Sequence, residues 1–347
     1  MALTWKNWVG LLIGGILYSA YGCSSGKGGV LNHYSESRFL FGTMVKMDVC
    51  YGPHQEGALE EALEEIWTRL KDIHWRMERF DIRSDVNKIS QAYPETTQVG
   101  EDTFQLLQRA VRYTELTQGA FDITVGGLIA LWEEATQTKT LPTPEKLNQA
   151  KETVGIHHIE FLPPNRIRIR HPQTRLALGG VAAGYAVDEA VQIFHRFGFE
   201  HFLIDAGGDL YGKGDNCKGY PWRIGIQDPN HVEKILEVVQ LKDAAMTTSG
   251  NYERFYEIAG KRWSHIFDPR TGYPQQEVVS ATVIASTTEL ADAFATALAV
   301  LGGRQAQALA PQWPESIAFY ILEETREGQK LYKSENFDQW LLKTTNL

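Results

Sequence analysis

Between Thr43 and Val49 the chain alternates Val45, Met47 and Val49 with Met44, Lys46 and Asp48, the period-two pattern of a strand with one face buried. The period then changes. Leu59, Leu63, Ile66, Leu70, Ile73 and Met77 recur at helical spacing over residues 54–77 and predict an amphipathic helix. A second helix is expected over 101–118, stopped by Gly119, and another after Thr143, which can cap it while Pro144 suits its first turn. Residues 158–170 read as a hairpin. Strand, glycine turn and helix follow over 176–198, then strand and glycine turn again over 202–214. A strand at 278–286 leads into a last long helix, where Ser286 and Glu289 form the S-x-x-E capping pattern and Gly302 and Gly303 mark the stop. With no internal repeat and no second linker, the fold class expected is α+β, one mixed α/β domain of two lobes at most.

Composition makes this a globular chain: 43% of its 347 residues are hydrophobic, enough for a sizeable core. The balance of 34 basic against 43 acidic side chains, net −9, argues against a surface built to hold nucleic-acid phosphates without sequence preference. An anionic ligand must therefore be met locally, by a metal ion, one or two arginines, or helix N-termini.

The N-terminus reads as a targeting segment. After Lys6 comes an apolar stretch, "WVGLLIGGILYSA", too short for a comfortable membrane span and composed like a signal-peptide core. It ends at Ala20–Cys23, "AYGC", which resembles a bacterial lipobox with Ala20 where Leu is usual and the bulky Tyr21 beside it. The expected organisation is a signal peptide over 1–22, a lipid-attached flexible tether from Cys23 to residue 37, and one folded domain over 38–347. Lipidation of Cys23 implies an exported, membrane-anchored protein facing the periplasm. Cys50 and Cys217 remain; export permits a disulfide between them, which the sequence does not show.

Within the last helix, Asp292 and Thr296 are four residues apart and share a face one turn from each other. A carboxylate and a hydroxyl so placed can share a hard cation such as magnesium, which keeps waters or phosphate oxygens in its other positions; a solvated helix acid and a core threonine satisfy the same spacing. The glycine turns Gly179–Gly184 and Asp205–Asp209 could admit a phosphate to the backbone, yet lack G-x-G-x-x-G spacing, and tight packing explains them equally. In "SHIFDPRTGYP", residues 264–274, Pro269, Gly272 and Pro274 make a rigid turn, Asp268 can cap its amides and Arg270 offers a donor fork. His265 can serve as a base near neutral pH or as a structural histidine.

The order of seven blocks goes further. "LFGTMV", "RMERFDIRSDVNKIS", "GAFDITVGGLIALW", "LGGVAAGYAVDEA", "IDAGGDLYGKG", "TTSGNYERFYEIAGKRWSHIFDPRTGYP" and "ADAFATALAVLG", running from about Phe41 to about Gly303, together resemble the FAD:protein FMN transferases, the ApbE-like family. The resemblance implies an exported α+β enzyme that binds FAD, uses magnesium to split its pyrophosphate, moves FMN onto a Thr or Ser hydroxyl of a partner protein, and releases AMP. It places Asp292 and Thr296 as metal ligands with the Gly180 carbonyl as the third, and His265 as the base for the accepting hydroxyl. Ala120, Phe121 and Asp122 fall in its flavin block; Phe41, Phe80, Ala177, Ala183 and Ile266 also fall at cofactor-binding positions. The family puts Met and Tyr where Phe41 and Phe80 stand, Asp where Ala177 stands and Lys where Ala183 stands, which puts the flavin contacts in question more than the metal site. The expected partner is an acceptor protein with a Thr/Ser flavinylation motif, a subunit of a membrane redox complex. Two rival readings remain: a periplasmic FAD pyrophosphatase, which uses water as acceptor, and a non-catalytic flavin-binding lipoprotein, against which intact Asp292, Thr296 and His265 speak.

Overall fold

The computed structural model describes residues 31–251 and 255–343. The expected signal peptide and Cys23 lie outside them. In chain order the elements are β1 (Asn32–Leu40), β2 (Thr43–Tyr51), α1 (Glu56–Met77), α2 (Asp85–Gln91), β3 (Thr96–Gln98), α3 (Glu101–Leu116), α4 (Gly126–Thr138) and α5 (Pro144–Glu152). Next come β4 (Ile159–Leu162), β5 (Arg166–Ile169), α6 (Ala182–Arg196), β6 (Phe202–Ala206), β7 (Asp209–Lys213), β8 (Trp222–Asp228), β9 (His231–Leu241) and β10 (Ala244–Gly250). The last are β11 (Phe255–Ile258), β12 (Lys261–Ser264), β13 (Val278–Ala285), α7 (Thr288–Leu309), β14 (Ala318–Thr325) and β15 (Gly328–Lys333).

Eight strands pair antiparallel in one sheet, in the order β1-β2-β6-β7-β10-β13-β14-β15. Helices α1, α6 and α7 cover one face. Val45, Met47 and Val49 meet Ile66, Leu70, Val187 and Phe294 there, in the main core. The β8–β9 hairpin covers the other face, where Leu203, Leu210, Met246 and Ile284 pack on Trp222, Val239 and Phe337. Because side chains alternate along a strand, this double cover explains β13, every residue of which is buried. A separate cluster of Trp132, Ala135, Ile258 and Phe267 seats the β11–β12 hairpin against α4. The mixed α+β architecture expected from the periodicities is the one observed.

Three local expectations change. Residues 32–37, read as tether, form most of β1, in full register with β2. Their polar composition suits an edge strand with one side in water; Glu36 accepts from Trp67 Nε1 at 3.0 Å, and the Arg38 guanidinium lies 4.6 Å from the centre of the Trp67 ring. Residues 176–178 form no regular strand, because their neighbour is the irregular segment 120–125: Ala177 N donates to the Ile123 carbonyl at 2.8 Å and Val125 bridges Arg175. At the start of α7 the cap is Thr287, not Ser286; its side chain accepts from Leu290 N at 3.3 Å. Gly302 does break the helix, at φ 72°, ψ 169°, a conformation that favours glycine, and helix resumes through Leu309.

Cys50 and Cys217 form a disulfide across a sequence separation of 167, with Cα atoms 5.2 Å apart. It ties the end of β2 to the loop after β7. Closing so long a loop restricts the unfolded chain, so Cys217→Ser or a reductant should lower unfolding free energy by about 2–5 kcal/mol. Denaturant midpoints with and without dithiothreitol check this; equal midpoints would contradict it.

Candidate active site

The first group of expected residues meets where α6 crosses α7. A Cβ on Gly184 would lie 2.5 Å from the Thr288 carbonyl oxygen, so glycine lets the two helices touch backbone to backbone. That contact brings Gly184 N within 3.3 Å of Asp292 Oδ2, and Asp292 is only 5% exposed. One turn on, Thr296 packs against Gly180, whose Cβ position would be 2.7 Å from Thr296 Oγ1. Asp292, Thr296 and Gly180 thus converge, although positions 180 to 296 span 117 residues of sequence.

Burial pushes the Asp292 carboxyl well above its ordinary range, and the charges of Asp209, Glu289 and Asp188 push the same way against the Gly184 amide. Glu289 and Asp188 are tied to groups around the start of α7. Glu289 is held by Arg109 Nε and Nη2, both at 2.7 Å, and by the Tyr113 hydroxyl at 2.9 Å. Asp188 accepts from the first amides of α7, Thr288 N at 2.7 Å and Glu289 N at 2.8 Å, and burial pushes it up to about 6. No ion pair to Asp292 occurs among the described residues.

Asp292 is therefore a buried acid suited to a bound cation. Among the described residues no three His, Cys, Asp or Glu side chains are grouped to hold a metal. The Asp292 carboxylate and the Thr296 hydroxyl, with the Gly180 backbone beside them, offer oxygens of the kind that suit magnesium, which leaves several positions to water or phosphate. The residues present fit that ion.

A second group surrounds Asp122. Ala120 and Phe121 are buried in the main core, Phe121 edge-on to Tyr113 at 6.4 Å, so their side chains serve packing. Asp122 Oδ1 accepts from Thr124 N at 2.8 Å and Thr124 Oγ1 at 2.6 Å; burial raises this carboxyl and Thr124 holds it down. Ala177 abuts the block through its bond to Ile123. Ala183 lies in the first turn of α6, beside Gly184. Phe41 turns at the β1–β2 tip, edge-on to His74 at 5.3 Å, while Phe80 is 70% exposed under the Arg79 guanidinium at 3.9 Å. Ile266 is buried, with its N on Ser264 Oγ and its carbonyl taking Gln275 N.

The turn at 264–274 is held at several points. Phe267 bridges Pro274, and Trp132 Nε1 donates to the Gly272 carbonyl at 3.0 Å. Asp268 caps Arg270 N at 2.9 Å, as its position suggests, but it also takes the Arg270 fork at 2.8 and 3.1 Å. The guanidinium is thus engaged within the turn rather than open to a ligand. Arg270 Cγ lies 3.9 Å from the Cβ position of Gly119, which sets this turn beside the Ala120–Asp122 block. His265 is half-buried between Ser264 and the turn. A cleft of about 710 Å³ lined by Asp268, Val300, Arg304 and Tyr332 borders this turn and includes none of Asp122, Asp292 or Thr296. Side-chain chemistry, not cleft size, marks the site.

Arg109, Asp188 and Asp209 were not read from the sequence as parts of the site. Asp188 and Asp209 fall within two of the seven blocks, but a carboxylate that accepts from a helix amide 100 residues away leaves no local pattern.

Comparisons with known proteins converge. The model of the ApbE family matches residues 41–321. A FAD:protein FMN transferase of Vibrio cholerae serotype O1 is 32% identical over 284 residues, 80% of this chain and 84% of the relative. One of Haemophilus influenzae is 32% identical over 280 residues, 78% and 80%. Among solved structures, the ApbE protein of Thermotoga maritima superposes with a TM-score of 0.80 at 33% identity, covering 90% of this chain and 100% of that one.

Proposed function

The chain belongs to the ApbE family, and from that membership we propose that it is a magnesium-dependent FAD:protein FMN transferase acting outside the cytoplasm. The observation that carries the proposal is the buried Asp292 carboxylate, one turn from Thr296, with Gly180 packed on the threonine hydroxyl.

In this reading FAD lies with its flavin toward Asp122, Ala177 and the Phe41, Phe80, Ala183 and Ile266 positions, and its pyrophosphate at the α6–α7 crossing. Asp292, Thr296 and the Gly180 carbonyl would hold magnesium, which when bound offsets the pyrophosphate charge. Glu289 and Asp188 keep the start of α7 in place, so Asp292 is oriented before substrate arrives. The turn pinned by Trp132 and Asp268 presents His265. The oxygen of an acceptor Thr or Ser bonds to the FMN phosphorus, and His265 Nδ1 or Nε2 takes its proton. The bond from that phosphorus to the bridging oxygen breaks, and AMP leaves with the oxygen.

The test is to incubate the protein with FAD, magnesium and a subunit of a membrane redox complex as acceptor. One AMP should appear per acceptor molecule heavier by FMN less one water. Stoichiometric free FMN and AMP with an unmodified acceptor would make the protein a FAD pyrophosphatase. FAD bound but intact would make it a flavin-binding lipoprotein.

The Cys50–Cys217 disulfide supports an oxidising compartment. With Cys23 lipidated, wild type should partition into detergent and Cys23→Ser into the aqueous phase. Wild-type protein without lipid mass at Cys23 would contradict the anchor.

A further inference from the structure

Three elements line the cleft of about 710 Å³ that borders the 264–274 turn. One is α7 where Gly302 breaks it, and there Gly303 N donates to Glu323 Oε1. Another is the end of the large sheet, where Glu323 pairs with Lys330 and Thr325 with Gly328 across β14 and its last strand, β15. The third is the turn itself, through Asp268 and Tyr273.

The charges around this cleft are not matched in pairs. Arg304 on α7, Arg326 in the β14–β15 turn and Lys330 on β15 are all exposed there, and none makes an ion pair among the described residues, although acids outnumber bases in the chain by 43 to 34. Lys330 Nζ instead rests 4.6 Å from the centre of the Tyr332 ring. Two of the lining carboxylates are committed within the protein: Asp268 takes the Arg270 fork and Glu323 takes Gly303 N. Glu277 and Glu327 are the other two. Tyr273, 49% exposed and edge-on to Trp132 at 6.0 Å, adds a braced aromatic of the kind that anchors protein partners.

We propose that this cleft receives an acidic segment of the acceptor protein, next to its reacting Thr or Ser. The proposal rests on the transferase reading, in which the turn that borders the cleft presents His265 to that hydroxyl. Carboxylates of the segment meet the guanidinium forks of Arg304 and Arg326 and the Lys330 ammonium one at a time. Glu277 and Glu327 sit among those cations and oppose a uniformly anionic surface such as a layer of lipid headgroups, because like charges would be pressed together. A chain whose acids are spaced avoids them.

The test uses two fluorescent synthetic peptides, one with Asp residues flanking a Thr and one with Lys in their place, titrated into the whole protein without FAD or metal and read by anisotropy. Wild type should bind the Asp peptide about tenfold tighter than the Lys peptide, and Arg304→Ala with Arg326→Ala should weaken the Asp peptide about tenfold. Salt should weaken it more in wild type than in that variant. Arg304→Glu with Arg326→Glu should reverse the preference. Equal melting temperatures across the series are expected, since both arginines are exposed and without ion pairs among the described residues. Wild type that binds the two peptides equally, or a double alanine variant within twofold of wild type, overturns the inference. So does binding to phosphatidylglycerol vesicles that the same substitutions abolish while both peptides are ignored. In the transfer assay the double alanine variant should raise the acceptor KM about tenfold and leave kcat and FAD affinity unchanged. FMN transfer with an unchanged acceptor KM overturns the inference and leaves the transferase reading; wild type that transfers no FMN removes that reading, and the inference with it.

Discussion

Asp292→Asn should stay folded, require far more magnesium, and cleave FAD slower by a factor on the order of 10² to 10³ at low magnesium. The substitution keeps the side-chain shape and the contact with Gly184 N, and removes one negative charge from a site where Asp209, Glu289 and Asp188 all push the acid up. Metal-free stability should therefore not fall. What is lost is the charged ligand, and with it the means of placing a cation against the pyrophosphate. Thr296→Ala should give a milder form of the same defect, because its ligand is neutral. Initial rates of AMP release against magnesium concentration check both. Wild-type rates for Asp292→Asn at low magnesium would reduce the pair to helix packing.

His265→Ala should slow FMN transfer on the order of 10² or more while FAD affinity stays within a few-fold. The turn that carries it is held by Trp132 on Gly272, by Asp268 on Arg270 and by Ser264 on Ile266 N. None of these needs the imidazole, so the backbone should persist in the variant. Single-turnover transfer and equilibrium FAD binding, measured on the same preparation, separate chemistry from binding. Equal losses in transfer, FAD affinity and thermal stability would assign His265 a structural role instead.

Legibility of the fold followed the strength of local pattern. The stripe from Leu59 to Met77 and the alternation of Val45, Met47 and Val49 have one period each and a single face to bury, so α1 and β2 stand where the periodicity puts them. Strand β1 escaped notice because an edge strand with water on one side can be polar throughout, and its pairing with β2 is visible only in three dimensions. The cap of α7 was misplaced by one residue for a related reason. The S-x-x-E pattern at Ser286 is local, but Glu289 finds Arg109 on α3, while Asp188 on α6 satisfies the helix amides.

The site divides in the same way. Asp292 and Thr296 were readable together because four-residue spacing on a helix is itself geometry. Gly180 joined them only by resemblance, and the reason it sits beside Thr296 is the close crossing allowed by Gly184.

The most direct measurement is anomalous scattering from a crystal grown with Mn2+ and AMP. The account predicts a peak at about 2.1 to 2.3 Å from an Asp292 carboxylate oxygen, Thr296 Oγ1 and the Gly180 carbonyl oxygen, as a hard divalent ion bound by oxygens requires. A Mn2+ peak elsewhere, with none at the α6–α7 crossing, would contradict it.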